Sequence, residues 1–327
     1  MRFRLLSFCC KPGPVARRIR RPAVSRRPME RLARGRDNLQ PKHLPWHAYT
    51  ACRQRGAGTG STLAQKSAGS AVAGRGTGRW HTFHEKFVVE ERYVDPTDRR
   101  RLYRASIILA VVGLALFVAT LVSVVQGGGL SAADGPIHNW LMTTRSAAAT
   151  AFMIFLAVFF GPIALPIIVL VVILIWGFAA KHAWRPILLA AAMLTGVIVS
   201  QIILHIVQRS RPPVDQMLFG ADQTFSFPSG HVLGACDFLL VGAYLIFSRR
   251  RNPRAAVFGF IGAGVGIILA ITSRLYLGYH WPTDTLASFS LSLLILGGVI
   301  ALDTWRTARI PGEQVTGELS REEAPQD

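Results

Sequence analysis

The sequence predicts an all-α fold: a six-transmembrane-helix bundle at residues 105–303. A disordered basic N-terminal tail precedes it and a short polar C-terminal tail follows. Three observations lead there. Half of the 327 residues are hydrophobic and only 17% are charged, with a mean hydropathy of +0.33; a soluble domain carries about 25% charged residues. Several apolar runs approach the roughly 20 residues that cross a bilayer as a helix. The charge is also segregated, since residues 1–104 hold 24 Lys and Arg against 7 Asp and Glu, whereas the rest of the chain holds 13 against 11.

Residues 1–84 are rich in Arg, Gly, Ala, Ser and Pro and lack any sustained apolar period, which predicts disorder. Such a tail suits anionic lipid headgroups. It has no aromatic interleaving and no nucleic-acid module, so nucleic acid is not an expected partner. A start codon assigned too far upstream is the plainer account of the stretch. The apolar part of residues 1–10 is too short for a signal peptide. Cys9, Cys10, Cys52 and Cys236 are not spaced for a zinc site or a disulfide framework.

Residues 85–104 are mixed and read as a juxtamembrane, amphipathic approach. Six apolar segments follow, at 105–126, 152–178, 186–207, 232–247, 255–272 and 285–302. The second is interrupted by Gly161, Pro162 and Pro166. Helices are the expected spanning form, because lipid cannot satisfy exposed backbone groups. Residues 304–327 are polar and predicted to be disordered.

Six spans place both termini on one face. The short loops there carry Lys181, His182 and Arg185, then Arg249, Arg250, Arg251 and Arg254. Arg99, Arg100, Arg101 and Arg104 precede the first span, and Arg306 and Arg309 follow the last. The positive-inside rule makes this face cytoplasmic. The opposite face receives loops 127–151, 208–231 and 273–284.

Those last two loops hold the chemistry. His280 and Asp284 are four apart and share a face if the sixth helix begins near Pro282. A carboxylate on one imidazole nitrogen fixes the tautomer and leaves the other free to attack. The plainer reading is a helix-capping Asp beside an interfacial His. Pro228-Ser229-Gly230-His231 opens the fourth span, where glycine admits close backbone approach and first-turn amides point at an anion. Ser229 offers a hydroxyl and His231 a proton for a leaving oxygen; a serine-capped turn is the plainer reading. Arg209-Ser210-Arg211-Pro212 ends the third span, and Arg274 ends the fifth. Guanidinium forks suit phosphate, although arginines at span ends also snorkel. Two histidines, a carboxylate and several arginines at one membrane depth form a set suited to cleaving a phosphate ester.

These residues resemble the type 2 phosphatidic acid phosphatase family, in its membrane lipid phosphatase branch. That family's pattern is Lys-x6-Arg-Pro, Pro-Ser-Gly-His and Ser-Arg-x5-His-x3-Asp, and the second and third motifs match in full at 228–231 and 273–284. The resemblance covers roughly residues 105–303. It implies that His280 is the nucleophile of a phosphohistidine intermediate, that Asp284 orients it, and that His231 is the acid for the leaving group. It also implies a phosphate cradle of Arg211, Arg274, Ser229 and Gly230, used without a metal ion or other cofactor. The first motif departs, because Leu204 stands where the family has lysine. Arg209, or His205 after a one-residue shift, is the candidate substitute.

The implied activity is metal-independent hydrolysis of a lipid phosphate or pyrophosphate at the non-cytoplasmic face. Undecaprenyl diphosphate (in a bacterial plasma membrane), phosphatidate and phosphatidylglycerophosphate all fit. One histidine must be neutral and the other cationic, so a bell-shaped pH profile is expected. The alternative is a catalytically weak or inactive protein that binds phosphorylated lipid, which the Leu204 departure favours. A vanadium-dependent oxidase sharing the pocket is a third reading, against which six spans argue. The sequence assigns no role to Asp134, His138 or Arg145 and does not give the oligomeric state.

Overall fold

The computed structural model describes residues 86–249, 252–314 and 319–322. The basic tail expected at 1–84 lies outside them. Asp95 starts the first long helix: its carboxylate accepts the Thr97 N–H at 2.7 Å, and Pro96 fills the first turn, where its missing N–H costs nothing. Helix α1 then runs Pro96–Gln126 and ends at Gly127, whose φ of 66° gives the left-handed C-cap. A 3₁₀ turn at Gly129–Ala133 leads to α2, Asp134–Thr143. There follow α3 (Ala147–Phe159), α4 (Ala164–Ala179), α5 (Trp184–Val207), α6 (Gly230–Phe247), α7 (Pro253–Tyr276) and α8 (Pro282–Thr307).

Five of these helices, α1 and α5 to α8, are long and apolar enough to cross a bilayer. Helices α3 and α4 pass the same test together, bent by 50° at the break around Gly161 and Pro162. Proline cannot donate to the helix ladder and clashes with the preceding turn, so the interruption in the second apolar run becomes a broken span. Large side chains such as Ile206, Phe178 and Phe258 are more than 70% exposed. An apolar belt of that extent belongs in lipid, and the protein is an integral membrane protein.

Small residues set the closest helix pair. The buried positions of α1 are Ser106, Gly113, Thr120 and Ser123, three of them seven apart. A Cβ on Gly113 would lie 2.6 Å from the Ser290 carbonyl of α8, and one on Gly297 would lie 2.8 Å from the Ser106 carbonyl of α1. Ser106 Oγ donates to the Gly297 carbonyl at 2.7 Å. Backbones approach this closely only where side chains are absent. Gly113→Val is therefore expected to lower the thermal midpoint in detergent, by an overpacking cost of about 1–3 kcal/mol. Gly177→Ala is the control, because nothing lies within 4 Å of a Cβ there.

The ends of the chain differ from expectation. Residues 85–104 are not one amphipathic segment: Val89–Tyr93 form strand β1, and α1 begins at Pro96. The segment 304–327 is not a structureless tail in its described part. Helix α8 continues to Thr307, and β2 (Ala308–Arg309) and β3 (Ser320–Glu322) pair in parallel on either side of β1, with Arg92 opposite Ala308 and Glu90 opposite Arg321. The cause is a buried acid. Glu91 is fully buried and takes Arg306 Nη1 at 2.7 Å and Arg309 Nε at 2.8 Å. Charges that read locally as a solvated tail are partners across more than 200 residues.

Candidate active site

The C-terminal ends of α5 and α7 meet the N-terminal ends of α6 and α8. Gln208, at φ 50°, turns the chain out of α5. The Arg209 carbonyl then accepts the Ser226 N–H at 2.9 Å, closing the 208–229 loop onto its own start. Ser229 N–H reaches the Asp284 carbonyl at 3.4 Å, which joins α6 to α8. Gly278 turns the chain between α7 and α8 at φ 82°, and a Cβ there would lie 2.7 Å from the Gln216 carbonyl. This tight turn places Tyr279, His280 and Trp281.

His280 is held from both ring nitrogens. Nδ1 lies 2.9 Å from the Ser226 carbonyl, which only accepts, so Nδ1 carries the proton. Nε2 lies 3.2 Å from Arg211 Nη1, a donor, so Nε2 presents its lone pair. Burial holds the imidazole well below the usual histidine range, and the charges of Arg274 and Arg211 push the same way; the Ser226 carbonyl opposes them. The result is a neutral ring with its lone pair toward Arg211.

Asp284 is not the direct partner of that ring. Its Oδ2 stands 3.5 Å from Nδ1, beyond a good hydrogen bond, and instead accepts the Trp281 N–H at 2.8 Å. Oδ1 takes Arg209 Nη1 at 2.6 Å. Helix α8 begins at Pro282, as its spacing required, and Asp284 caps it. The orienting acceptor is the Ser226 carbonyl, with Asp284 behind it.

Arg209 corrects a further expectation. It does not stand in for a missing cradle cation, because its guanidinium is already spent on two carboxylates. Nη1 bonds Asp284 and Thr283 Oγ1 at 2.6 and 2.7 Å, and Nη2 bonds Asp134 at 2.6 Å. The guanidinium also stacks 5.7 Å from the Trp281 ring centre. Asp134, buried, accepts the Thr283 N–H and Oγ1–H as well, at 3.0 and 2.6 Å. Sequence reasoning left this residue without a role, and its only signal was an acid on the same membrane face. His205 is exposed, and its Nδ1 faces the Gln201 carbonyl of its own helix at 2.8 Å.

Arg211 does face the site, with every N–H engaged. Nε and Nη2 bond the Thr224 carbonyl and hydroxyl at 3.0 and 2.9 Å, and Nη1 bonds the Tyr279 carbonyl at 2.8 Å and His280. Nη2 also pairs with Asp222 Oδ2 at 2.9 Å. Burial would raise the Asp222 pKa, but two hydrogen bonds from Thr224 and the charge of Arg211 outweigh it and hold the group below the usual carboxylate range. The spacing of motifs gave no sign of Asp222 or Thr224.

Arg274 is the opposite case. It is 5% exposed, its Nε is buried without an acceptor, and it lies 4.2 Å over the Tyr279 ring centre. No hydrogen bond from its guanidinium to protein is made among the described residues. The ring of His231 likewise makes none there, and Arg274, His280, Arg211 and Asp222 are its charged or titratable neighbours. Ser229 does not offer its hydroxyl to the cavity: it is fully buried, and its Oγ caps α6 by accepting the Val232 N–H at 3.5 Å. Gly230 lines the cavity at the start of α6.

The cavity measures about 660 Å³. His280, His231, Arg211, Asp222 and Thr224 line its polar end. Leu165, Val169, Met193, Leu194, Val197 and Leu204, from α4 and α5, carry it into the bundle. The break at Gly161 and Pro162 opens this side. Leu204 is thus apolar wall, and no lysine replaces it. Asp237 also lines the cavity, in the notch beside Gly196, and both its carboxylate oxygens are buried with no hydrogen-bond partner among the described residues. Among the described residues no group of three acidic, His or Cys side chains is arranged to hold a metal ion.

Residues 185–308 match the family described as the PAP2 superfamily. Phosphatidylglycerophosphatase B of Bacillus subtilis (strain 168) is 26% identical over 185 residues, which is 56% of this chain and 90% of that protein. Phosphatidylglycerophosphatase B of Escherichia coli (strain K12) is 36% identical over 88 residues, so the chain spans 31% of that relative's length. Among solved structures, a crystal structure described as the first transmembrane PAP2 type phosphatidylglycerolphosphate phosphatase from Bacillus subtilis superposes with a TM-score of 0.52 at 25% identity. It covers 59% of this chain and 96% of its own.

Proposed function

From the chain's membership of the PAP2 superfamily, carried by residues 185–308, we propose that the protein is a membrane lipid phosphatase working through a phosphohistidine at His280. One observation carries the reading: a single cavity runs from His280, His231 and Arg211 at its polar end, with the buried Arg274 near enough for its charge to act on His280, to an apolar groove between spanning helices at the other. A phosphorylated lipid has the same two ends.

In the proposed reaction Nε2 of His280 attacks phosphorus, breaking the bond to the lipid oxygen while His231 protonates that oxygen. Arg274, Arg211 and the first amides of α6 receive the other phosphate oxygens, where charge grows in the transition state. Water then attacks the phosphohistidine with His231 as base, releasing phosphate. The chain supplies nucleophile, acid and countercharge from its own side chains, so turnover is expected to persist in EDTA. Loop charge supports a site on the non-cytoplasmic face with both termini in the cytoplasm. The names of the relatives make phosphatidylglycerophosphate the first substrate to test, ahead of phosphatidate and undecaprenyl diphosphate.

The test is inorganic phosphate release from these three lipids by full-length protein in detergent with EDTA. Release from any of them supports the reading. Folded protein that binds vanadate but releases phosphate from none favours the second reading, a binder without turnover. Two observations support that alternative: Leu204 is apolar wall, and every N–H of Arg211 is already bonded.

The second of these gives its own prediction. A phosphate entering the cavity competes with Asp222 for Arg211. Asp222→Asn is expected to tighten vanadate inhibition by roughly 3- to 10-fold, in keeping with about 1 kcal/mol for a part-exposed ion pair. An unchanged or weaker vanadate constant would assign Asp222 to holding the loop alone.

A further inference from the structure

At the end of the bundle remote from His231 and His280, a second cavity of about 310 Å³ opens between β1, the loop joining α4 to α5, and the residues after α6. Its charged or titratable walls are Lys181, His182, Arg185 and Arg249, with Glu90 the one acid among them. Glu90 is already taken: His182 Nε2 lies 2.7 Å and Lys181 Nζ 3.5 Å from its Oε1. Asp303, close by, accepts Trp184 Nε1 at 2.9 Å and Tyr244 OH at 3.0 Å, and stands 4.0 Å from Arg249 Nη2.

Arg185 gives Nη1 to the Leu245 carbonyl at 2.7 Å. After these bonds, among the described residues, Arg185 Nη2, Arg249 Nε and the hydroxyl of Ser248 are buried without an acceptor. Arginines at span ends ordinarily extend toward water or headgroups. These two fold inward with donors unmet, which is costly unless an acceptor-rich anion completes the site. The depth also agrees, since Trp176 and Trp184 line the cavity and indole side chains concentrate at the headgroup level.

We propose that this cavity binds a phosphate group, presented by the headgroup of an anionic membrane lipid. Bound there, the phosphate bridges Arg185 at the start of α5 and Arg249 just beyond α6. It thereby ties together the far ends of the two helices whose other ends flank the candidate active site. Basic pockets between spanning helices are suited to lipid phosphates of this kind.

The test compares wild type with Arg249→Gln, each full length. Thermal midpoints are read in micelles doped with phosphatidylglycerol, in micelles doped with phosphatidylcholine, and with inorganic phosphate added to the latter. Wild type is expected to gain about 3–6 °C from phosphatidylglycerol over phosphatidylcholine, and Arg249→Gln less than half of that. Without anionic lipid the variant should melt no lower than wild type, because it loses an unmet buried donor. Inorganic phosphate reproducing the Arg249-dependent gain supports the site and assigns it to free phosphate; a gain from lipid alone assigns it to the headgroup. Equal gains in both proteins overturn the proposal, as does a variant that melts lower by the same amount in every micelle. Phosphate release from lipid substrate reads the catalytic end separately, so its failure leaves this result interpretable.

Discussion

His280→Asn is expected to abolish phosphate release, by a factor on the order of 10⁴ or more, while the protein stays folded. The magnitude follows from removing a covalent nucleophile, after which binding and charge stabilisation alone remain. Asparagine is the informative replacement, because its amide can occupy the position of Nδ1 and keep the donor to the Ser226 carbonyl, now 2.9 Å away. Residual turnover within tenfold of wild type would remove His280 from the chemistry.

The same variant reads the protonation state. The folded-state pKa of His280 is depressed, first by burial and then by Arg274 and Arg211. Below the unfolded pKa of about 6.5 the unfolded chain takes up a proton that the folded chain resists, so stability falls as pH falls. At pH 5 this contribution reaches at most about 2 kcal/mol. Wild-type protein is therefore expected to lose more stability than His280→Asn between pH 7 and 5. Equal losses would mean that the ring is already cationic in the folded protein or that it is not buried.

Arg274→Met separates function from stability in the other direction. Phosphate release is expected to fall by roughly 10²–10³, the usual consequence of deleting one donor to a charge that grows in the transition state. The empty protein is expected to melt at the same temperature or higher. Arg274 is 5% exposed, with an unmet Nε and no carboxylate bonded to it among the described residues, so it carries a desolvation cost that a methionine of similar length does not. A variant that melts several degrees lower would give Arg274 a structural role through its stacking on Tyr279. Turnover near wild type would remove it from the phosphate cradle.

Much of this site was legible before any coordinates. His280, His231, Arg211, Arg274, Gly230 and Asp284 all come to the end of the bundle that the loops predicted. Motif spacing is a local property, and helix termini inherit it directly. The roles within the cluster were less legible. Arg209 and Arg211 are two residues apart and chemically identical, yet one holds Asp284 and Asp134 while the other lines the cavity. Ser229 reads equally as ligand or cap, and it caps. Asp134 and Asp222 lay in loops where an exposed acid needs no explanation.

The sequence by itself determined that the chain spans a membrane, roughly where its spanning helices run, and that the histidines and arginines gather at one end of the bundle. Those properties depend on apolar run length, on proline and glycine at helix ends, and on alternation across a bilayer. Only the tertiary structure decided which carbonyl orients His280, which arginine meets the cavity, and that β1 binds the end of the chain through Glu91. Each of these is a choice of partner between groups far apart in sequence. Burial makes the choice binding, because a charge or N–H removed from water must take whatever acceptor the packing brings within reach.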